Sequence, residues 1–376
     1  MKRIKSFLKR LSIGIAVVFL TVLVSGIIFI NVSPEFGGKI LESKEKEYSK
    51  SVNYSEGKFK LTVPISTSED RWKSIWKFFK SKLNKKPLSP INPVPVDSLE
   101  LVNYEQKATK LIWFGHSTFL IQMQGLNILL DPMFGEYPAP LPIPSLKRFS
   151  EDLPISVGEL PYIDLVVFSH DHYDHLDYKS VVQLKDKVGA YYVPLGVGAH
   201  LNSWGVNKDR ITEMDWWDES IHGNLKLVCT PAQHFSGRGL FDQAKTLWAS
   251  WVIKSDKETI YFSGDGGYGK HFKEIGNKYG PFDISLMECG QYDKDWANIH
   301  MFPEQTVQAT HDLRSNLMMP IHWGGFKLAN HSWIDPIERV VAEAKKIEVN
   351  IITPQIGEAI YLNERFTNNF WWRKYK

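Results

Sequence analysis

SHDHYDHLD, residues 169–177, follows directly on the apolar run IDLVVF (residues 163–168), so a strand runs straight into a loop dense in imidazoles and carboxylates. His170, His172, Asp174 and His175 form H-x-H-x-D-H within that single loop. A lone histidine at a strand end would read as packed core. Four nitrogen and oxygen donors at this spacing read as a metal site, because neutral imidazole and carboxylate suit zinc and neighbouring divalent ions. Alternate residues of an extended turn can also aim at two adjacent positions.

One loop does not fill two positions, and further candidates stand where other strands stop. His234 follows LVCTPAQ, Asp265 follows TIYFSG, and His322 follows MMPI. Five histidines and two aspartates then divide sensibly: His170, His172 and His234 on one metal, Asp174, His175 and His322 on the other, with Asp265 bridging. Two cations held about 3.5–4 Å apart can share a hydroxide whose pKa is lowered toward neutrality, so the expected nucleophile is water.

Outward from these residues the pattern is one of short apolar strands: LIWFGHSTFLIQM, NILLDPMF, AYYVP, LKLVCTPAQH, WASWVI, TIYFSGD, ISLMECG and MMPIHWG. Helical patterns fall between them over residues 178–188, 303–313 and 336–346, which gives an α/β layout. No repeat of 20–50 residues is visible, so a solenoid or propeller is not expected.

The blocks WFGHSTFLIQ (113–122), LLDPMF (129–134), SHDHYDHLD, PAQHFSGRG (231–239), LWASWVI (247–253), FSGDGGYG (262–269), IHMFPEQ (299–305) and IHWGGFKLANHSW (321–333) resemble the metallo-β-lactamase fold superfamily. Within it they resemble the N-acyl-phosphatidylethanolamine phospholipase D family and its bacterial relatives. The resemblance spans roughly residues 110–340 and implies an αββα sandwich with the metals at one edge of the paired sheets. It carries over the seven ligands and implies that His300 lies beside the metals and contacts the phosphate or leaving group. The implied reaction is hydrolysis of an N-acylated phosphatidylethanolamine to phosphatidic acid and N-acylethanolamine, with two divalent metal ions, zinc foremost, and catalytic roles for Asp174, Asp265 and His300. A lactone or ester hydrolase of the same fold is the alternative, and a membrane-tethered binding protein without catalysis the third.

Weaker candidates surround the site. Arg238 can pair with a phosphodiester in a fork or form a surface salt bridge with Asp242. His116 and Asp131 read as groups behind the ligands or as packed core, and Trp216, Trp217, Trp248 and Trp251 as core or cap packing. The stretch YPAPLPIP (137–144) reads as an irregular apolar loop near the Asp131 strand end, able to receive acyl chains. It differs from what the animal enzymes lead one to expect there.

Composition frames the rest. Hydrophobic residues at 43% support a large core, while a net charge of +3 over 376 residues gives no field for a nucleic-acid partner. The two cysteines, Cys229 and Cys289, sit in apolar runs, which excludes a disulfide framework. Residues 1–10 are basic and precede an uncharged apolar stretch, residues 11–30, of the ~20 residues a membrane-crossing helix needs. The stretch is an anchor, or a signal peptide cleaved near Val24-Ser25-Gly26. Charge asymmetry then puts the catalytic domain on the extracytoplasmic side, with membrane and phospholipid as partners. Residues 31–100 read as tether and N-terminal elaboration. Their Trp72, Ile75, Trp76, Phe79 and Leu83 stripe would lie on a bilayer or pack on the domain, and Pro87, Pro90, Pro93 and Pro95 mark an extended linker. Residues 101–365 form the catalytic domain. Residues 366–376 read as an aromatic and basic tail, either interfacial or frayed.

Overall fold

The computed structural model describes residues 2–64, 76, 78, 80, 83–104 and 108–376. A first hairpin pairs β1 (Tyr54–Ser55) with β2 (Lys58–Phe59). The strands that follow are β3 (Lys110–Trp113), β4 (Phe119–Met123), β5 (Leu126–Leu130), β6 (Ile163–Val167), β7 (Val188–Pro194), β8 (Ile211–Met214), β9 (Glu219–His222) and β10 (Leu225–Thr230). After them come β11 (Ser250–Lys254), β12 (Thr259–Phe262), β13 (Ile284–Glu288), β14 (Met318–Ile321) and β15 (Ala359–Tyr361). The helices are α1 (Lys2–Val32), α2 (Glu42–Tyr48), α3 (Ser98–Val102), α4 (Tyr178–Leu184), α5 (Gly198–Ser203), α6 (His271–Tyr279), α7 (Pro303–Asp312) and α8 (Asp335–Lys346).

Two mixed sheets result, one in the order β15-β3-β4-β5-β6-β7-β8 and one in the order β14-β13-β12-β11-β10-β9. Strand period two decides how they stack. Leu165 and Val167 on β6 point into a shared core with Leu227, Trp251 and Ile253 of the second sheet. Val166 and Phe168, one residue out of phase, pack instead under Val181, Leu184 and Leu201 of α4 and α5. β6 and β7 pair in parallel and are covered on both faces, which is why they read as continuous apolar runs. On the far side Phe272, Val307 and Ile337 bring α6, α7 and α8 onto the second sheet, and the αββα sandwich closes.

Three expectations need correction. The run 111–123 is not one strand: His116 takes φ 55° between β3 and β4, and the two strands turn back on each other with Trp113 opposite Phe119. Residues 31–100 are not a free tether. Tyr48, Tyr54 and Phe59 are buried against Leu247 and Trp248, burial worth about 1.5–3 kcal/mol per large side chain. The proline segment is extended as expected but strapped down, since Ile91, Val94 and Val96 donate backbone N–H bonds to Phe149, Ile356 and Pro154. The tail is neither interfacial nor frayed: Trp371, Trp372 and Tyr375 are buried in the inter-sheet core. The 70–83 stripe lies largely outside the described residues, of which it includes Trp76, Phe78, Lys80 and Leu83. α1 is long and apolar enough to cross a membrane, and its apolar span is unburied.

Candidate metal centre

Every ligand candidate sits where a strand releases the chain. The 170–175 loop is held at both ends. Before it, Asp131 accepts hydrogen bonds from the Ser169 backbone N–H at 2.7 Å and the Ser169 hydroxyl at 2.5 Å. After it, Asp177 caps α4 by accepting from the Ser180 N–H at 2.9 Å. Asp131 and His322 themselves follow β5 and β14 with φ of 39° and 63°, left-handed conformations of the kind that concentrate at working sites. Gly264, at φ 55°, makes the turn that delivers Asp265, and a Cβ there would lie 2.6 Å from the Ser169 Cβ.

The side chains converge in two groups. His170 Nε2 lies 2.9 Å from His172 Nδ1, and His234 Nε2 lies 3.2 Å from the same atom. Asp265 Oδ2 is 3.9 Å from both His170 Nε2 and His234 Nε2. Four ligands placed about 2.0–2.1 Å from one tetrahedral ion would be separated by roughly 3.3 Å, the middle of this range. In the second group His175 Nε2 lies 3.5 Å from Asp174 Oδ2 and 3.1 Å from Asp265 Oδ2, while His322 Nδ1 lies 3.0 Å from Asp265 Oδ1. His175 Nε2 and Asp265 Oδ1 are buried yet have no hydrogen-bond partner. Buried polar atoms are ordinarily paired, so two that face the middle of the cluster unpartnered fit a cation bound there.

Neighbours fix which nitrogen faces inward. Asp131 Oδ2 accepts from His175 Nδ1 at 2.7 Å, and the Ile299 carbonyl accepts from His234 Nδ1 at 2.9 Å, leaving each Nε2 lone pair for the centre. His116 Nε2 meets Asp174 Oδ2 at 2.8 Å and so stands behind a candidate ligand. Burial pushes the His170, His234 and His322 imidazoles well below their ordinary range, which keeps them neutral. It pushes His172 down to about 4. Burial also raises the Asp265 carboxyl to about 7, a cost that a neighbouring cation would remove. Asp174 stays well below its usual range despite burial, because His175 and His116 face it.

His300 stands beside the cluster, its ring 5.1 Å from that of His234 and 5.4 Å from that of His322. Its Nδ1 pairs with the buried Glu288 carboxylate, whose other oxygen accepts from the Gly266 N–H. Glu288 was missed in the sequence. Its signal is plain in hindsight: it is the one charged residue in the apolar strand ISLME. A cleft of about 300 Å3 opens on this floor, with Phe235, Trp296, Ile299 and Leu328 supplying apolar wall. The 137–144 loop contributes nothing to that lining.

Arg238 does not face the cleft, and the expected phosphate or Asp242 pairing of its guanidinium is overturned. Its side chain is buried and donates to the carbonyl oxygens of Glu35, Asp171 and Leu176 at 2.6–2.9 Å. The Asp242 carboxylate accepts instead from the backbone N–H groups of Arg238 and Gly239.

A largely buried five-histidine, two-aspartate cluster at one edge of an αββα sandwich is the site of a metal-dependent hydrolase. Residues 126–323 match the family described as the beta-lactamase superfamily domain, and the chain belongs to that family. It is 39% identical to an uncharacterized protein of Mycobacterium tuberculosis over 331 residues, covering 86% of this chain and 88% of that one. It is 27% identical to N-acyl-phosphatidylethanolamine-hydrolyzing phospholipase D 1 of Caenorhabditis elegans, over 88% of this chain and 96% of the relative. Among solved structures, the metallo hydrolase Igni18 of Ignicoccus hospitalis superposes with a TM-score of 0.52 at 21% identity, over 69% of this chain and all (100%) of that one, a likeness of fold.

Proposed function

We propose that the chain is a di-metal phosphodiesterase that hydrolyses N-acyl-phosphatidylethanolamine-type phospholipids to phosphatidic acid and N-acylethanolamine. The observation that carries this is the junction of the seven-residue cluster with a cleft whose floor is ionic and whose wall is apolar. Such a cleft matches a phosphodiester that bears acyl chains on one side. The relationship to a worm enzyme named for this reaction, running through nearly its whole length, supports the substrate class.

His170, His172 and His234 would hold one cation, Asp174, His175 and His322 the other, with Asp265 between them. Zinc suits the donor set. Bound there, the two ions would supply Lewis acidity at the phosphoryl oxygens and a water acidic enough to ionise near neutrality. The protein's own contribution is placement. Glu288 fixes the His300 ring through Nδ1, which leaves Nε2 to meet the phosphate or the departing oxygen. Phe235 and Ile299 exclude solvent from the floor. Residues 11–30 would anchor the chain with this domain on the extracytoplasmic side.

The test is mass-spectrometric detection of N-acylethanolamine and phosphatidic acid from vesicles holding N-acyl-phosphatidylethanolamine and the full-length protein. Equimolar release that a chelator abolishes and zinc restores is the expected result. Protein that retains metal yet cleaves no such lipid would end the lipid reading and send the search to esters and lactones.

A further inference from the structure

The 170–175 loop is supported on its outer side by a segment far away in sequence. Directly after α1, residues 34–38 form a short turn that docks on the loop. Arg238 is the clasp. Its Nη1 donates to the Asp171 and Leu176 carbonyls at 2.6 and 2.7 Å, which brackets the ligands His172, Asp174 and His175. Its Nε and Nη2 donate to the Glu35 carbonyl at 2.9 and 2.7 Å. The guanidinium also lies 4.1 Å from the Tyr173 ring centre, and Phe36 meets the same ring edge-on at 6.3 Å.

A second path runs in parallel. The Gly38 N–H donates to His200 Nδ1 at 3.1 Å, and His200 Nε2 lies 3.3 Å from Asp171 Oδ2. Asp171 is not a candidate ligand, and its carboxylate is consumed by Gly237 N–H at 2.7 Å and the Thr246 hydroxyl at 2.7 Å. The fit at the turn is exacting: Gly37 has φ 76°, and a Cβ there would stand 2.1 Å from His200 Nδ1.

We infer that the 34–38 turn is a positioning element of the metal centre, holding the 170–175 loop in its ligating shape through Arg238 and His200. The inference rests on the metal reading of the cluster and not on the choice of substrate. The centre then survives loss of the apolar span, since a cut near Gly26 leaves the turn in place, but not loss of the turn. Arg238 touches no substrate in this account and acts through the loop it braces.

Gly37→Val drives a side chain against His200 and levers the turn off its seat, and Arg238→Met removes the clasp. Partners that orient ligands are typically worth 10–100-fold in metal affinity. Full-length protein in detergent, loaded with zinc and titrated with a chromogenic chelator, is expected to show a loss of that order for each variant. The double variant should lose less than the product of the two single losses, because lifting the turn already withdraws the Glu35 carbonyl from Arg238. General destabilisation would instead lower the unfolding midpoint additively and leave zinc affinity in the folded protein unchanged, which overturns the inference. Should Gly37→Val not fold, Phe36→Ala trims the ring that meets Tyr173 and, on its other side, Phe29. A zinc affinity about threefold weaker or more supports the positioning role, and an unchanged one refutes it. None of these readouts involves lipid cleavage, so they stand or fall apart from the phospholipase proposal.

Discussion

Asp265→Asn is expected to lower kcat/KM by about 10³-fold or more, a loss of about 4 kcal/mol of transition-state stabilisation. Asp265 Oδ2 approaches His170, His175 and His234 while Oδ1 approaches His322, so this carboxylate faces members of both candidate ligand groups with its two oxygens. Asparagine keeps the shape and removes the charge. It also turns one acceptor into an amide N–H2, which would point into a cluster of lone pairs. Loss of the bridge should release at least one ion and with it the paired activation of water and phosphoryl group. The check is steady-state kinetics alongside a thermal melt, with substrate drawn from whichever class proves active. A fall of less than about tenfold in a folded variant that keeps its metal would remove Asp265 from the bridging role.

Trp372→Ala is expected to cost about 3–5 kcal/mol of stability, read from the denaturant midpoint with an unchanged slope. The indole is 0% exposed and packs edge-on against Trp323 at 5.6 Å and Trp371 at 6.0 Å. Its N–H donates to Glu338 at 3.1 Å, tying the end of the chain to α8. Trp323 directly follows the candidate ligand His322, so the cavity opens one residue from the proposed centre. A frayed tail would give a change within about 0.5 kcal/mol, and such a result would refute the packing described for residues 371–375.

The site was legible in the sequence because its chemistry is local. Each of His234, Asp265 and His322 closes an apolar strand, and strand ends of one sandwich edge must meet. The αββα stacking came from the family resemblance and not from the runs themselves: IDLVV reads as one continuous apolar run, and the structure shows its two faces serving two different cores. What failed were contacts between distant segments that carry no periodic signature. Nothing near Arg238 announces that the Glu35 carbonyl returns to it, so the sequence leaves its charge open to a phosphodiester or to Asp242. Tyr48, Tyr54 and Phe59 are too sparsely spaced to read as a core until Trp248 supplies the other half. The aromatic and basic tail has the composition of an interfacial anchor, and only the Trp113 and Trp323 rings beside Trp371 show that it is core. Glu288 is marked in the sequence only as the lone carboxylate of an apolar strand, and its role shows once His300 is seen against it.

Elemental analysis of the purified full-length protein tests the two-metal centre most directly, with His322→Ala measured beside it. The account predicts close to two equivalents of divalent metal per chain in the unaltered protein and about one in His322→Ala, because His170, His172 and His234 remain whole in the variant. A folded, unaltered chain that holds no metal after incubation with zinc, or that holds one equivalent whether or not His322 is present, would contradict it.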